Sequence, residues 1–476
     1  MAIQSTEASA GLTLVETVMA DIQARVDGRL LAAGARAPSI RVLAERLGVS
    51  KSTVVEAYDR LVAEGVLTAR PGSGFYVAKR APPLVLMGAS LAGAEPPPDR
   101  AVDPLWLMRQ ALEPGEGVLK PGCGWLPADW MPEAAVRRAF RALARAPSSA
   151  LLDYDNPLGY PALRRHLSDR FAGRGIPAAV DQILLADSGS QAIDLVCRYL
   201  LEPGDVVLLD DPCYYNFKTV VAAHRARAVP VPYTPLGPDL AAFAQAAATH
   251  RPRLYITNAA LHNPTGASLT APVAHKLLTL ATAHDILIVE DDIFSDFETE
   301  PSPRLAAFDG LDRVIHIGSF SKTLSAAVRC GYIVARADWV QGIADVKLAT
   351  AFGNATTNPR IVHQLLTDGS YRRHMEGVRG RLAGAMGRTV RRLEALGLKP
   401  WVEPRGGMFL WVALPRGASS VALARAALDQ GVVLAPGDVF SLTNSADGFL
   451  RFNVAQCDHP RTFEVLAQAL ETAHSA

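Results

Sequence analysis

Cysteine is scarce in this chain. The five that occur, Cys123, Cys197, Cys213, Cys330 and Cys457, are odd in number, far apart and nowhere spaced as C-x-x-C. That pattern excludes a disulfide framework and a structural zinc site, and leaves reduced thiols that pack as small apolar side chains. No metal is expected. Charge of one sign is lacking as well: 48 Lys and Arg against 47 Asp and Glu leave a formal charge of +1, so any attraction to nucleic acid has to come from a local patch. No apolar run approaches the ~20 residues that span a bilayer. The first residues, Met1-Ala2-Ile3-Gln4-Ser5-Thr6-Glu7, lack the basic start and apolar run of a secretory signal. These absences exclude a membrane role, and the expected location is the cytoplasm.

What is present is length and punctuation. A chain of 476 residues, 49% hydrophobic and 20% charged, is globular in composition and too long for one hydrophobic core. Leu12, Val15, Met19, Ile22, Val26 and Leu30 recur at helical steps of three and four. Pro38-Ser39 starts a second helix with Leu43 and Leu47 on its apolar side, stopped by Gly48. Ser50 caps a third, carrying Val54, Tyr58 and Leu61 and ended by Gly65. Leu67–Arg70, Pro71-Gly72-Ser73-Gly74 and Phe75-Tyr76-Val77 read as strand, turn and strand. Three helices and a hairpin predict a winged helix over residues 10–79. The local patch lies here: eight basic residues against four acids between Arg36 and Arg80.

From 80 to 104 the chain is proline-rich, with Pro82-Pro83 and Pro96-Pro97-Pro98, which predicts a semi-rigid linker. Leu84-Val85-Leu86-Met87 within it is apolar enough to lie on the second domain. Beyond it, at 105–476, short apolar runs alternate with helical patterns: Ile183–Leu185, Val206–Leu209, Leu254–Thr257, Ile286–Val289 and Val314–Ile317. Continuous apolar runs suit strands covered on both faces, so an α/β layer with a mostly parallel sheet is expected. Gly407–Val412 and Leu450–Val454 predict a smaller α+β lobe from about residue 355.

Chemistry-bearing motifs fall where strands end, which is where open α/β sheets bind ligands. In Ser319-Phe320-Ser321-Lys322, followed by Arg329, two hydroxyls and a cation flank an amine. That is what a Schiff-base lysine beside a phosphate needs, although a lone lysine is ordinarily a solvated charge. Asp291 ends the run Ile286–Val289 and is either an acid paired with nearby arginines or a partner for a ring nitrogen. Ser188-Gly189-Ser190-Gln191 opens a helix and turns N–H groups toward a phosphate. Asn263-Pro264-Thr265-Gly266 is an ordinary turn by composition, and Asn263 can donate to a phenolate. Tyr214 is either core packing or an aromatic face over a ring. Arg451 is either a structural ion pair or a two-pronged carboxylate site.

Taken in order, Tyr154 with Gly159, Ser188-Gly189-Ser190-Gln191, Pro212-x-Tyr214, Asn263-Pro264-Thr265-Gly266, Asp291, Ser319-x-Ser321-Lys322 with Arg329, and Arg451 resemble a fold-type I, class I/II aminotransferase that uses pyridoxal 5'-phosphate (PLP). The resemblance implies that Lys322 holds PLP as a Schiff base and shuttles protons. It further implies that Ser190, Gln191, Ser319 and Arg329 bind phosphate, and that Tyr154 reaches that phosphate from a partner subunit, making a homodimer. The family's usual tyrosine just after the aspartate is missing, and Ile293 and Phe294 stand there, which leaves Asn263 as the main O3′ partner.

Residues from about Leu12 to Val77 resemble the GntR-type winged helix-turn-helix, through Pro38-Ser39-Ile40-Arg41, Gly48-Val49-Ser50-Lys51-Ser52-Thr53-Val54 and Gly65-Val66-Leu67-x-x-Arg70-x-Gly72-Ser73-Gly74. That implies a third helix in the major groove of double-stranded DNA with Ser50, Lys51, Ser52 and Thr53 near the bases. Ser39 and Arg41 then sit at the start of helix two, and Arg70 and Gly72 on the wing. The fusion resembles the MocR subfamily of bacterial regulators, which implies head-to-tail dimers whose DNA binding responds to PLP or to an amine or amino-acid effector. An effector amine is expected to displace Lys322 and shift the two lobes. Two alternatives stand beside this: a working aminotransferase with a DNA-binding head, and a regulator that senses PLP itself.

Overall fold

The structure, a computed structural model, describes residues 13–27, 31–32, 34–70, 72–78, 104–112 and 117–475. Leu12, Leu30 and most of the expected linker, including Leu84–Met87, lie outside them. The chain divides into two units, Met1–Pro98 and Asp99–Ala476.

The first unit is built from α1 (Leu14–Asp27), α2 (Ile40–Leu47), α3 (Lys51–Ala63) and an antiparallel hairpin of β1 (Leu67–Arg70) and β2 (Gly74–Val77). Val18 and Ile22 of α1, Leu43 of α2, Val54, Tyr58 and Leu61 of α3, and Leu67 and Val77 of the hairpin form one buried cluster. Each such side chain contributes about 1.5–3 kcal/mol, so Leu43→Ala costs about 2–5 kcal/mol. Ser39 accepts from the N–H of Val42 and Ser50 from that of Thr53, so both helices start where a hydroxyl replaces the missing carbonyl partner. Gly48, at φ +65°, ends α2 in the left-handed region that a side chain would strain. Asp21 of α1 pairs with Arg46 of α2 at 2.5 Å and with Arg25 at 3.1 Å.

The second unit is layered on an eight-stranded sheet. Its strands are β3 (Ile183–Ala186), β4 (Val206–Asp211), β5 (Arg227–Thr234), β6 (Gly237–Pro238), β7 (Leu254–Thr257), β8 (Leu287–Asp291), β9 (Val314–Ser319) and β10 (Gly331–Val334). They are ordered β3-β10-β9-β8-β7-β4-β5-β6. The five strands β9, β8, β7, β4 and β5 run parallel to one another, while β10 runs antiparallel to both β3 and β9, and β6 antiparallel to β5. The expected mostly parallel sheet is therefore present, with β5, β6 and β10 unforeseen. Pro230 and Pro232 hid β5, because proline cannot donate to a ladder and argues against a central strand. β5 tolerates them by lying beside the sheet's end. β11 (Lys399–Pro400), β12 (Phe409–Ala413), β13 (Ala435–Pro436) and β14 (Phe449–Asn453) make a second, antiparallel sheet ordered β11-β12-β14-β13, the smaller lobe foreseen from its apolar runs. All five cysteines are free and buried. Among the described residues no helix is long and apolar enough to cross a membrane, and no group of three or more His, Cys, Asp or Glu side chains could hold a metal ion.

Candidate functional site

A cavity of about 380 Å³ opens where β8 and β9 end, and its wall carries Ser190, Tyr214, Asn263, Asp291, Ser319, Ser321, Lys322, Arg329 and Arg451. These come from six separate stretches of chain, and the fold brings all nine to one place. Ser188 caps the helix Gly189–Leu200, so that helix presents its free N–H end at the cavity. Ser319 is the last residue of β9; its hydroxyl donates to the Cys330 carbonyl at 3.1 Å and lies 3.0 Å from Ser321 Oγ, to which Arg329 donates at 3.3 Å. Hydroxyls, a guanidinium and a helix N-terminus together form a cradle for an anion such as phosphate.

Opposite charges face each other across the space. Burial pushes the Asp291 carboxyl up to about 7, against the N–H of Ile293, which donates to it at 3.1 Å. Burial also brings the Lys322 amine down to about 8, so near neutral pH a useful fraction is the unprotonated nucleophile. Lys322 Nζ stands 5.9 Å from the centre of the Trp125 ring. Arg451 on β14 is 1% exposed and lies between the rings of Phe409 and Phe440, at 4.5 and 4.7 Å. It donates to Asn263 Oδ1 at 2.8 Å and to the Gly122 carbonyl at 2.5 Å, while its buried Nε has no hydrogen-bond partner. A buried guanidinium held by neutral oxygens, with a donor to spare and a cavity in front, is suited to a carboxylate. The structural ion pair weighed for Arg451 is absent among the described residues.

Two expected site residues are not on this wall. Gln191 lies further round the helix, where its side chain accepts from the N–H of Asp187 at 2.6 Å and donates to that residue's carboxylate at 3.3 Å. It closes the helix start, by way of the residue before the cap, instead of facing the cavity. Tyr154 is 82% exposed and packs on Phe352, ring centres 5.0 Å apart. Ile293 and Phe294 do line the cavity, and Phe294 packs edge-on against Phe409, so no hydroxyl occupies that position. The sequence reading missed Met108, Trp125, Tyr215, Asn216 and Asn258. Asn258 donates to the Asp291 carbonyl at 2.5 Å and accepts from the N–H of Asn263 at 2.9 Å, tying two site residues together. Its place one residue past β7 was the signal that could have found it.

In the first unit, Lys51 and Ser52 are exposed at the start of α3, with Thr53 half-buried behind them. Ser50 Oγ lies 2.7 Å from Ser52 Oγ and 2.8 Å from Thr53 Oγ1, so its hydroxyl is occupied with the cap. Arg41 is exposed, with Glu45 at 3.7 Å. On the wing, Arg70 lies over the Tyr76 ring at 4.4 Å. Gly72, at φ +72°, has open space where a side chain would start, so the backbone there can approach a flat or grooved partner closely.

A fold of this kind with this cavity defines a class I/II aminotransferase body behind a winged-helix head, and comparison with known proteins agrees. Residues 127–470 match the model of aminotransferase class I and II, and the chain belongs to that family, which is PLP-dependent. Residues 14–77 match that of the bacterial regulatory proteins of the gntR family, and the pairing is that of the MocR subfamily. Similar curated proteins include the HTH-type transcriptional regulator YisV of Bacillus subtilis, 27% identical over 423 residues and 86% of each chain. NorG of Staphylococcus aureus, an HTH-type transcriptional regulator, is 27% identical over 79% of this chain and 85% of its own. Among solved structures, the α-aminoadipate aminotransferase LysN of Thermus thermophilus, complexed with N-(5'-phosphopyridoxyl)-L-leucine, covers 78% of this chain and 95% of its own at 26% identity and a TM-score of 0.71. Pyrococcus horikoshii kynurenine aminotransferase has a TM-score of 0.72 at 23% identity, covering 79% of this chain and 95% of its own, a likeness of fold alone.

Proposed function

We propose that this chain is a DNA-binding transcription regulator whose body holds PLP and responds to a small amine or amino acid. The observation that carries the reading is the meeting of an amine brought down to about 8, a buried carboxylate, an anion cradle and a buried guanidinium with a spare donor around one cavity. That donor set fits PLP. Ser190, Ser319, Ser321 and Arg329 would bind the phosphate, Asn263 the O3′ oxygen, Asp291 the ring nitrogen and Lys322 the carbonyl carbon, with Tyr214 against the ring. When bound, PLP supplies an electrophilic carbonyl carbon and an electron-withdrawing ring. Arg451 would orient an effector by its carboxylate.

The exposed Tyr154 suits a residue that completes the site of a second subunit in a homodimer, and a head-to-tail arrangement would pair two heads with two DNA half-sites. Gln191 would act on the cradle indirectly, by fixing the helix start. In the head, Lys51, Ser52 and Thr53 would meet DNA from the start of α3. Arg41 and Ser39 would meet it from α2, and Arg70 and Gly72 from the wing. The domains would run over 10–79, 80–104 and 105–476, in the cytoplasm; the similarity to HTH-type transcriptional regulators over 79–86% of this chain is compatible with that division.

The test is a DNase footprint on the duplex upstream of this gene, with PLP alone and with PLP plus amino acids, for the natural chain and Lys322→Ala. Effector-dependent protection is expected for the first and not for the second. An unchanged response from Lys322→Ala, or a protein that stays colourless with PLP and gains no mass after borohydride, overturns the reading. A response to PLP alone assigns PLP as the signal. A second reading, a working aminotransferase, is favoured by the retention of Asp291, Lys322 and Arg451 at one cavity; repeated conversion of amino acids to oxo acids would establish it. The missing hydroxyl at Phe294 weighs against efficient turnover.

A further inference from the structure

Three acids follow one another at the end of β8, and only the middle one faces the cavity. Side chains alternate along a strand, so Glu290 and Asp292 share the opposite face, where both are buried. There they meet one imidazole. His316, in register with Glu290 across β8 and β9, places Nδ1 3.1 Å from Glu290 Oε2 and Nε2 3.7 Å from Asp292 Oδ2. Glu290 also accepts from the N–H groups of Leu305 and Ala306, at 2.7 and 3.1 Å. Among the described residues no guanidinium lies within ion-pair distance of it. Asp292 has Arg304 at 2.7 Å and Arg174 at 3.8 Å. Phe171 and Tyr332 enclose the imidazole, ring centres 5.4 and 6.4 Å away.

Buried carboxylates are costly unless partnered, and the neighbouring Asp292 disfavours the charged form of Asp291. Yet a ring nitrogen is held in its protonated state only by an ionised Asp291. The groups that bear on Asp291 are Asp292 just after its own strand, His316 on β9, Lys322 after β9 and Tyr214 after β4; beyond His316 stand Glu290, Arg304 and Arg174. Burial raises Asp291 most, the N–H of Ile293 and then the negative charge of Asp292 act against each other, and His316 opposes the rise.

We propose that His316 is a positioning residue for Asp291: set between Glu290 and Asp292, it holds the end of β8 and so keeps the Asp291 carboxylate ionised and aimed into the cavity. Nδ1 is hydrogen-bonded to Glu290 Oε2, while Nε2, buried and without a hydrogen-bond partner, faces Asp292 Oδ2 at 3.7 Å. The inference rests on the PLP reading above, and extends it to a residue that touches no cofactor.

The experiment compares PLP affinity, by absorbance titration of the full-length protein, for the natural chain, His316→Phe, His316→Gln and Asp291→Asn at about pH 7 and about pH 9. The readout is the ratio of variant to natural Kd at each pH. For His316→Phe the ratio should be roughly fivefold to tenfold at the lower pH and near unity at the higher, where Asp291 is ionised with or without the imidazole. His316→Gln, which can donate to one carboxylate, should show the same pattern with a smaller ratio, and decides the matter if the phenylalanine variant does not fold. Asp291→Asn should bind PLP weakly at both. A ratio that is the same at both pH values would mean mere structural support and overturns the proposal, as does a ratio of one throughout. A natural chain that takes up no PLP at either pH overturns the PLP reading itself, an outcome told apart by the lack of any signal to compare.

Discussion

The head and the body place charge in opposite surroundings. In the head, Arg41 and Glu45 face each other at 3.7 Å with about three-quarters of each side chain in water, and Arg60 meets Glu56 at 2.6 Å, about half exposed. In the body, Arg451 is sealed between two aromatic rings with only neutral oxygens as partners, and Asp291 is 5% exposed. Water and salt screen the first kind, so each contact is weak, additive and lost at high ionic strength. Nothing screens the second kind. A charge there is tolerated only because a ligand or a fixed partner completes it, so single substitutions in the body should act steeply and selectively, while those in the head act gently.

The largest effect should come from Asp291. An acid raised to about 7 in the folded state, from near 4 unfolded, holds a proton that the unfolded chain has already lost. Stability without ligand therefore falls as pH rises from about 4 to about 7 and stays lower above. Asp291→Asn removes this penalty and should stabilise the ligand-free protein at about pH 8 by as much as about 4 kcal/mol, with no gain below about pH 4. Urea unfolding at the two pH values measures it, and a gain independent of pH would break the claim that burial governs this site. Next is Arg451→Ala, which should weaken the response to an amino acid roughly a hundredfold, about 3 kcal/mol. The matching amine without a carboxylate should be unaffected. Equal loss for both would return Arg451 to a structural role.

The same contrast explains what could be seen in the sequence. Elements that satisfy themselves locally were legible: Ser39, Gly48 and Ser50 mark helix ends by the chemistry of a cap, and the apolar runs of β3, β4, β7, β8 and β9 announce strands covered on both faces. Motifs at strand ends gave nine of the cavity's residues because the open sheet brings such ends together. What was not legible depends on partners distant in sequence. Asn258 matters through Asp291 and Asn263, Trp125 lies in a loop without a motif, and His316 reads as one more strand residue until Glu290 and Asp292 stand beside it. Gln191 misled because a helix N-terminus promises anion binding, while its side chain had a nearer use in closing the helix start at Asp187.

In the head the expected effects are smaller and separable. Ser50→Ala removes the hydroxyl that accepts from the N–H of Thr53 at 3.1 Å and should cost about 1 kcal/mol of the head's stability, read by thermal unfolding. Lys51, one residue on, is exposed and sits in the first turn of α3. It contributes little to folding, and Lys51→Ala should leave the melting temperature in place. If Lys51 meets a phosphate, its loss should lower the slope of log affinity against log salt by about 1, weakening all duplex sequences alike. An unchanged slope with altered sequence preference would instead put Lys51 on a base edge, giving the head one contact of the selective kind otherwise confined to the body.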